Sequence, residues 1–183
     1  NIRAIDCGHS GVLVGTINSI PHSANNVVIT NIYANGVMNA GIRAVVLVDN
    51  LYVKNMQFIN CGNYGIEIQI GGEDERLTNL TFENMNYTPG PRGCWAGVNA
   101  ITLYDRFDFP TPQGGHPMNK FRINNINFKN MVINQNQLGS AWGTHDKWIP
   151  YYSTIAVSDA DHVTFDNLTV YNANYHASTL IGR

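Results

Sequence analysis

The sequence is short of charge, and the charge that it has is nearly balanced. Only 13% of its 183 residues are Asp, Glu, Lys or Arg, and the formal net charge is -2 at pH 7. There is no run of Lys or Arg, so nothing in the sequence predicts nucleic-acid binding. No apolar stretch approaches the ~18 residues expected of a membrane-spanning helix, so no membrane span is predicted.

Cysteine is also scarce, with Cys7, Cys61 and Cys94 as the only three residues of this type. Three cysteines cannot form a complete set of disulfides, and no Cys-x-x-Cys or His-rich spacing suggests a zinc site. Cys7 and Cys61 occupy equivalent places in two similar segments, two structural repeats apart. Strand spacing would separate them by ~10 Å, which exceeds the reach of a disulfide. We therefore predict three buried thiols and no bound metal.

Asparagine, by contrast, is abundant, and many of the 25 residues follow a repeated pattern. Residues 51–60 read apolar, any, apolar, any, Asn, twice in succession, and the same pattern recurs at 27–35, 75–84, 121–130 and 163–172. Apolar side chains at every second position predict β-strands with one buried face. Five copies of one pattern predict a repeated structural unit.

The Asn in the middle of each copy is expected at a bend between two strands, because Asn tolerates left-handed backbone. Its parity along the strand predicts an inward side chain, whose amide must then be hydrogen-bonded. We therefore predict a stacked ladder of amides beside a stack of Phe58, Phe82 and Phe128. The predicted ladder contains Asn31, Asn55, Asn79, Asn125 and Asn167, and the adjacent apolar column contains Ile32, Met56, Leu80, Ile126 and Leu168.

A further strand in each repeat is predicted at 41–48, 65–70, 98–104 and 153–158. With this pattern the chain resembles the right-handed parallel β-helix superfamily, which includes pectate lyases, polygalacturonases and phage tailspikes. The resemblance implies an all-β fold, a single right-handed parallel β-helix over residues 1–183 with Asn ladders. Both termini fall within a coil, so we expect this domain to be part of a longer chain.

The spacing of the pattern then lengthens to 46 residues between Asn79 and Asn125, and to 42 residues between Asn125 and Asn167. Either extra coils or inserted loops would explain this, and we favour long loops on the third and fourth coils, because neither gap contains another copy. The inserts, at 86–97, 105–119 and 135–152, hold all three tryptophans. Long loops in a solenoid often carry function.

Aromatic rings beside hydrogen-bonding groups suit the faces and hydroxyls of sugar rings. The same side chains would also serve to anchor the loops or to contact a neighbouring subunit. The predicted substrate-binding residues are Trp95, Tyr104, Arg106, Trp142, His145, Trp148 and Tyr152.

Acidic residues recur where the chain leaves each third strand, as at Asp49 and Asp161. Carboxylates one or two coils apart would lie ~5 or ~10 Å apart, a range that covers the separations used by glycosidases. Acids are also common in exposed turns, and such a group would suit calcium. The predicted catalytic residues, chosen because the aromatic loops flank them, are Asp105, Asp108 and Asp159.

Together with the resemblance, these features predict an extracellular or virion-surface protein that hydrolyses glycosidic bonds of a polysaccharide. One alternative is a polysaccharide lyase, with Arg92, Arg106 or Lys147 as the base. Another is a tailspike-like segment that binds glycans as a homotrimer without cleaving them, and a third is a purely structural solenoid. The lone charges Arg43 and Glu67 are predicted to face solvent.

Overall fold

The computed structural model describes residues 1–15, 23–70, 75–90, 99–105, 122–134, 154–158, 160–172 and 179–181, without the side chains of Asp105, Ser158 and 179–181. These ranges contain twelve β-strands and no helix. Accordingly, none of them provides a helix with the length and apolar character that crossing a membrane requires. The strands are β1 Ile2–Ile5, β2 Val12–Gly15, β3 Ser23–Asn35, β4 Ala40–Val45, β5 Leu47–Cys61, β6 Tyr64–Ile70, β7 Arg76–Pro89, β8 Asn99–Asp105, β9 Ile123–Asn134, β10 Ile155–Ser158, β11 Ala160–Tyr171 and β12 Thr179–Ile181.

The twelve strands form two six-stranded sheets. Sheet A contains the odd-numbered strands in the order β1-β3-β5-β7-β9-β11, and sheet B contains the even-numbered strands in the order β2-β4-β6-β8-β10-β12. Every pair of neighbouring strands is parallel. The chain therefore changes sheet at each successive strand, and the predicted all-β, parallel architecture is confirmed.

In the described residues, no additional strand from the long gaps in the Asn pattern is inserted between neighbouring strands of either sheet. Strand β9 pairs directly with β7 on one side and with β11 on the other, while β10 pairs directly with β8. The inserted loops themselves stay a prediction, because residues 91–98, 106–121 and 135–153 lie outside the described part of the chain. The first insert is shorter than predicted, because residues 86–89 still belong to β7 and the Tyr87 ring is buried in the core.

The repeated Asn residues have the backbone conformation that the sequence predicts. Within β5, Asn50, Asn55 and Asn60 have φ values of 55°, 60° and 53°. The two predicted half-strands nevertheless form one continuous strand. The left-handed residue resets the alternation once in every five positions, so that apolar residues return to the core face after each Asn.

The prediction that the Asn side chains point inward is wrong. Asn55 is exposed, whereas Val53 before it and Met56 after it are buried. The left-handed backbone turns the side chain out at the Asn itself, rather than shifting the parity of the residues that follow it. The other four predicted ladder residues are exposed in the same way: Asn31, Asn79, Asn125 and Asn167.

Two of the four predicted amide contacts are confirmed, since Asn55 donates to Asn31 and Asn125 donates to Asn79, but the register differs from the predicted one between β5 and β7 and between β9 and β11. The Asn55 amide donates to Asn31 at 2.9 Å, and its own Oδ1 accepts from Asn84 at 3.0 Å, not from Asn79. Asn79 instead donates to Asp49 at 2.8 Å. The predicted register fails because the pattern repeats every five residues within each strand, so a shift by five gives an equally regular alignment. The observed ladder contains Asn1, Asn31, Asn55, Asn84, Asn130 and Asn167.

The same shift changes the core columns. Phe82, Phe128 and Phe165 form the aromatic stack, with ring centroids 5.5 and 4.9 Å apart, while Phe58 aligns with Tyr87. Such offset stacks add to the free energy gained from burying the rings. The apolar column that begins with Ile32 and Met56 continues through Met85, Met131 and Leu168, whereas Leu80 and Ile126 align with Leu51.

Candidate functional site

The face of sheet B that points away from the core carries charged side chains. Strands β4 and β6 direct Ile42 and Ile66 into the core, and the next residues, Arg43 and Glu67, therefore lie on the opposite face. Glu67 is only 2% exposed and Arg43 only 11%. Ionised groups are costly to remove from water unless they are paired and hydrogen-bonded, so their partners decide whether this face is stable.

Both carboxylate oxygens of Glu67 have partners. Tyr104 donates its hydroxyl to Oε1 at 2.8 Å, and Asn39 donates its amide to Oε2 at 3.2 Å. The Nε atom of Arg43 lies 2.8 Å from Oε2, but its N–H is not aligned for a hydrogen bond, so this contact is an ion pair. The other end of the guanidinium group donates to Gln69. These five residues, contributed by or adjacent to β4, β6 and β8, are called the Glu67 cluster below.

The prediction that Arg43 and Glu67 are lone, solvent-facing charges is wrong. The two residues are directly opposite each other in the register of β4 and β6. Each therefore meets an opposite charge on the neighbouring strand, which offsets the cost of leaving water. A signal was present in the sequence, because Arg43 and Glu67 stand at the same position after Gly41 and Gly65 in two copies of one strand pattern.

Tyr104 is the one predicted substrate-binding residue whose side chain is described, and it belongs to the Glu67 cluster. Burial is the largest cause that raises the pKa of its phenol, and the neighbouring Glu67 carboxylate raises it further. The phenol therefore stays neutral at physiological pH and acts as a hydrogen-bond donor. Its position supports an orienting role toward Glu67, in place of the sugar stacking that the sequence predicts.

Asp105 ends β8 directly after Tyr104, and its backbone is in register with Ile70 of β6. It therefore lies at the C-terminal end of β8, next to the Glu67 cluster. Its side chain lies outside the described part of the chain. The remaining predicted site residues also lie outside the described residues: Asp108, Asp159, Trp95, Arg106, Trp142, His145, Trp148 and Tyr152.

Two other acids of the predicted column, Asp49 and Asp161, lie on sheet A, where they are too far apart to act as a pair of carboxylates. Thr78 and Asn124 separate them in the register, which corresponds to three strand spacings, or ~14 Å. Hydrogen bonds from Thr78 and then Asn79 lower the pKa of Asp49, so it is a poor general acid. Within the described ranges no group of three or more His, Cys, Asp or Glu side chains could hold a metal ion, and calcium binding stays a prediction.

Comparisons with family models, with curated proteins and with solved structures gave no match to this chain. The interpretation of the site therefore rests on its own geometry.

Proposed function

We propose that the protein is a carbohydrate-active enzyme that hydrolyses glycosidic bonds of a polysaccharide at the outer face of sheet B. The observation that supports this most is the Glu67 cluster, a carboxylate with charged and phenolic partners on a face that does not contribute to the core. Buried ion pairs are weak sources of stability, whereas functional sites often contain such groups.

The proposal includes a right-handed parallel β-helix as the scaffold. Strands that alternate between two parallel sheets suit a coiled chain path, and parallel crossovers are right-handed in nearly all proteins. In the sequence Trp95 shortly precedes β8, and Trp142, Trp148 and Tyr152 precede β10, both of which are strands of sheet B.

Glycoside hydrolysis requires two carboxyl groups. In the proposed reaction Glu67 supplies the carboxylate that stabilises positive charge at the anomeric carbon. An acid among Asp105, Asp108 and Asp159 protonates the leaving glycosidic oxygen as the C–O bond breaks; water then adds to the anomeric carbon and gives a proton back to the carboxylate so formed. Tyr104 and Arg43 are positioning residues, because they contact Glu67 and hold its carboxylate in place.

A lyase would instead need a basic group free to remove a proton next to a uronate carboxyl. Arg43 is the cation of the Glu67 cluster, and its guanidinium is already engaged by Glu67 and Gln69. The geometry of this cluster therefore favours hydrolysis over elimination. The proposed setting is extracellular or on a virion surface, where polysaccharide is the partner.

The test is a depolymerisation screen that measures new reducing ends and unsaturated products together. We expect reducing ends without unsaturation, and a loss of about 100-fold or more in Glu67→Gln, the range typical of general acid–base groups. Glu83→Gln is the matched control. Like Glu67, Glu83 contacts a Tyr and a cationic side chain, which here is Lys54, but it lies on sheet A and is partly accessible to solvent. Asp105→Asn gives a second test that leaves the ion pair intact.

Cleavage that is unchanged in both Glu67→Gln and Asp105→Asn would overturn the assignment of these residues. Unsaturated products would replace the hydrolase with the lyase. Binding without any cleavage would favour the tailspike-like alternative, in which the protein is expected to be a homotrimer.

A further inference from the structure

A shallow groove of about 460 Å³ crosses strands β3, β5 and β7 on the outer face of sheet A. Two parallel rows of side chains line it, and the backbone segments of Ile32 and Met56 lie between the rows. The first row is the part of the amide ladder on β3, β5 and β7, namely Asn31, Asn55 and Asn84, and the second row is Tyr33, Gln57 and Asn86.

The amides of the second row differ from those of the first. The Asn residues of the first row donate to one another along the ladder, which fixes their orientation. Gln57 and Asn86 are exposed and directly opposite each other in the register, yet neither amide has a hydrogen-bond partner among the described residues. Each amide offers two donors and an acceptor, so the second row presents solvent-exposed amides that are available to a ligand along the groove.

Among the residues that the structure describes, no charged side chain lines this groove. The nearest charges along the strands, Lys54 and Glu83, neutralise each other through a 3.0 Å ion pair. Arg3 lies over the Tyr33 ring at one end, 5.6 Å from its centroid, in a cation–π contact. The residues described as lining the groove thus include neither a cation for an anionic ligand nor a carboxylate for a cationic one, and the Arg3 guanidinium stands at one end of it.

We propose that this amide groove is a second saccharide-binding site, on the opposite sheet from the Glu67 cluster, and that it binds a neutral polysaccharide chain. The chain would lie across the strands, and its hydroxyl groups would exchange hydrogen bonds with Gln57 and Asn86. The regular strand spacing of ~4.8 Å repeats these contacts along the groove, which suits a linear polymer of regular repeat better than a compact ligand. The site serves to retain the polymer and takes no part in cleavage.

Affinity electrophoresis at 4 °C tests this proposal, with native gels that contain either a neutral glucan, mannan or xylan or a polyuronate. We expect retardation by at least one neutral polymer and none by polyuronate. The Gln57→Ala/Asn86→Ala double variant should lower that affinity about 10-fold or more. Asn25→Ala is the matched control, because Asn25 is an exposed amide on β3 that lies outside the groove and contacts only Ser23.

Equal retardation of the double variant and the unmodified protein would overturn the proposal, as would the absence of retardation by every neutral polymer. Stronger retardation by polyuronate would overturn the ligand class. The rate of reducing-end release from short soluble oligosaccharides should be the same in the double variant. A failure of catalysis with intact retardation would thus count against the hydrolase proposal alone.

Discussion

The side chains of Arg43 and Glu67 form an ion pair across two neighbouring strands, with the Nε and Oε2 atoms 2.8 Å apart. The pair lies on the non-core face of sheet B and is nevertheless shielded from water. Tyr104 connects a third strand to the same carboxylate. This relationship links the stability of sheet B to the chemistry proposed for it.

Removing the carboxylate should therefore destabilise the protein. Glu67→Ala leaves Arg43 without its counter-charge and is expected to lower the free energy of unfolding by about 3–5 kcal/mol. Urea titration followed by circular dichroism would measure the change. Glu83→Ala, which removes a partly exposed carboxylate (21% of its side-chain surface) from a similar contact on sheet A, should have a much smaller effect. Equal losses in the two variants would show that burial of the Glu67 cluster is unimportant.

The amide ladder can be separated into its backbone and hydrogen-bond contributions at Asn55. Asn55→Ala removes the ladder bonds and also places an alanine at φ 60°, which costs about 1–2 kcal/mol in strain. Asn55→Gly removes the same bonds without that strain, although glycine gains flexibility in the unfolded chain. We expect Asn55→Gly to unfold at the higher urea concentration. The opposite order would mean that left-handed strain is not a significant constraint here.

The contact between the two sheets depends on small residues opposite large ones. A Cβ atom added at Gly41 would lie 2.5 Å from the Phe58 ring, so Gly41→Ala should lower the free energy of unfolding by about 1–3 kcal/mol. Phe58→Leu in the same chain should recover part of this loss, and a double-mutant cycle would measure the coupling. Gly8→Ala is the control, because an added Cβ there meets no atom within 4 Å.

Cys61 should be unreactive in the folded protein. It is a free, buried thiol, and burial raises its pKa to about 12. Because the thiolate is the reactive form, alkylation by iodoacetamide at pH 8 should be about 1000-fold slower than in the urea-unfolded chain, where the pKa returns to ~8.5. Peptide mass spectrometry would measure Cys61 separately from the half-buried Cys7.

The sign of the corresponding pH effect follows from the raised pKa. The folded state holds the thiol proton more tightly than the unfolded state does. The contribution of Cys61 to stability is therefore fully present below pH ~8.5 and is lost as the pH rises toward 12. A labelling rate in the folded protein equal to that in urea would contradict both expectations.

Most of the fold was predictable, because its determinants are local. Two-residue alternation of apolar side chains located the strands, and Asn at every fifth position indicated the left-handed residues. The ladder register was not predictable from the same pattern. A strand such as β5 presents Asn50, Asn55 and Asn60 in one repeating frame, so the partner of Asn55 is fixed only when whole strands pair.

The candidate site was less predictable. Tyr104 was predicted as a site residue and does contact Glu67, but Glu67 and Arg43 were assigned to solvent. Their burial depends on the pairing of β4 with β6 and on the Tyr104 contact from β8, which are long-range relations. The sequence of one strand does not show which charged residue of the neighbouring strand will lie opposite its own.

The sequence by itself thus determined where this chain extends, where it turns left-handed and which apolar side chains are buried, since each depends on a few neighbouring residues. The tertiary structure alone decided which Asn bonds which, which Phe rings stack, and that Glu67 meets Arg43 out of water. Those contacts depend on differences in free energy between alternative pairings of whole strands. A local pattern that repeats every five residues fits several of these pairings equally well and cannot distinguish between them.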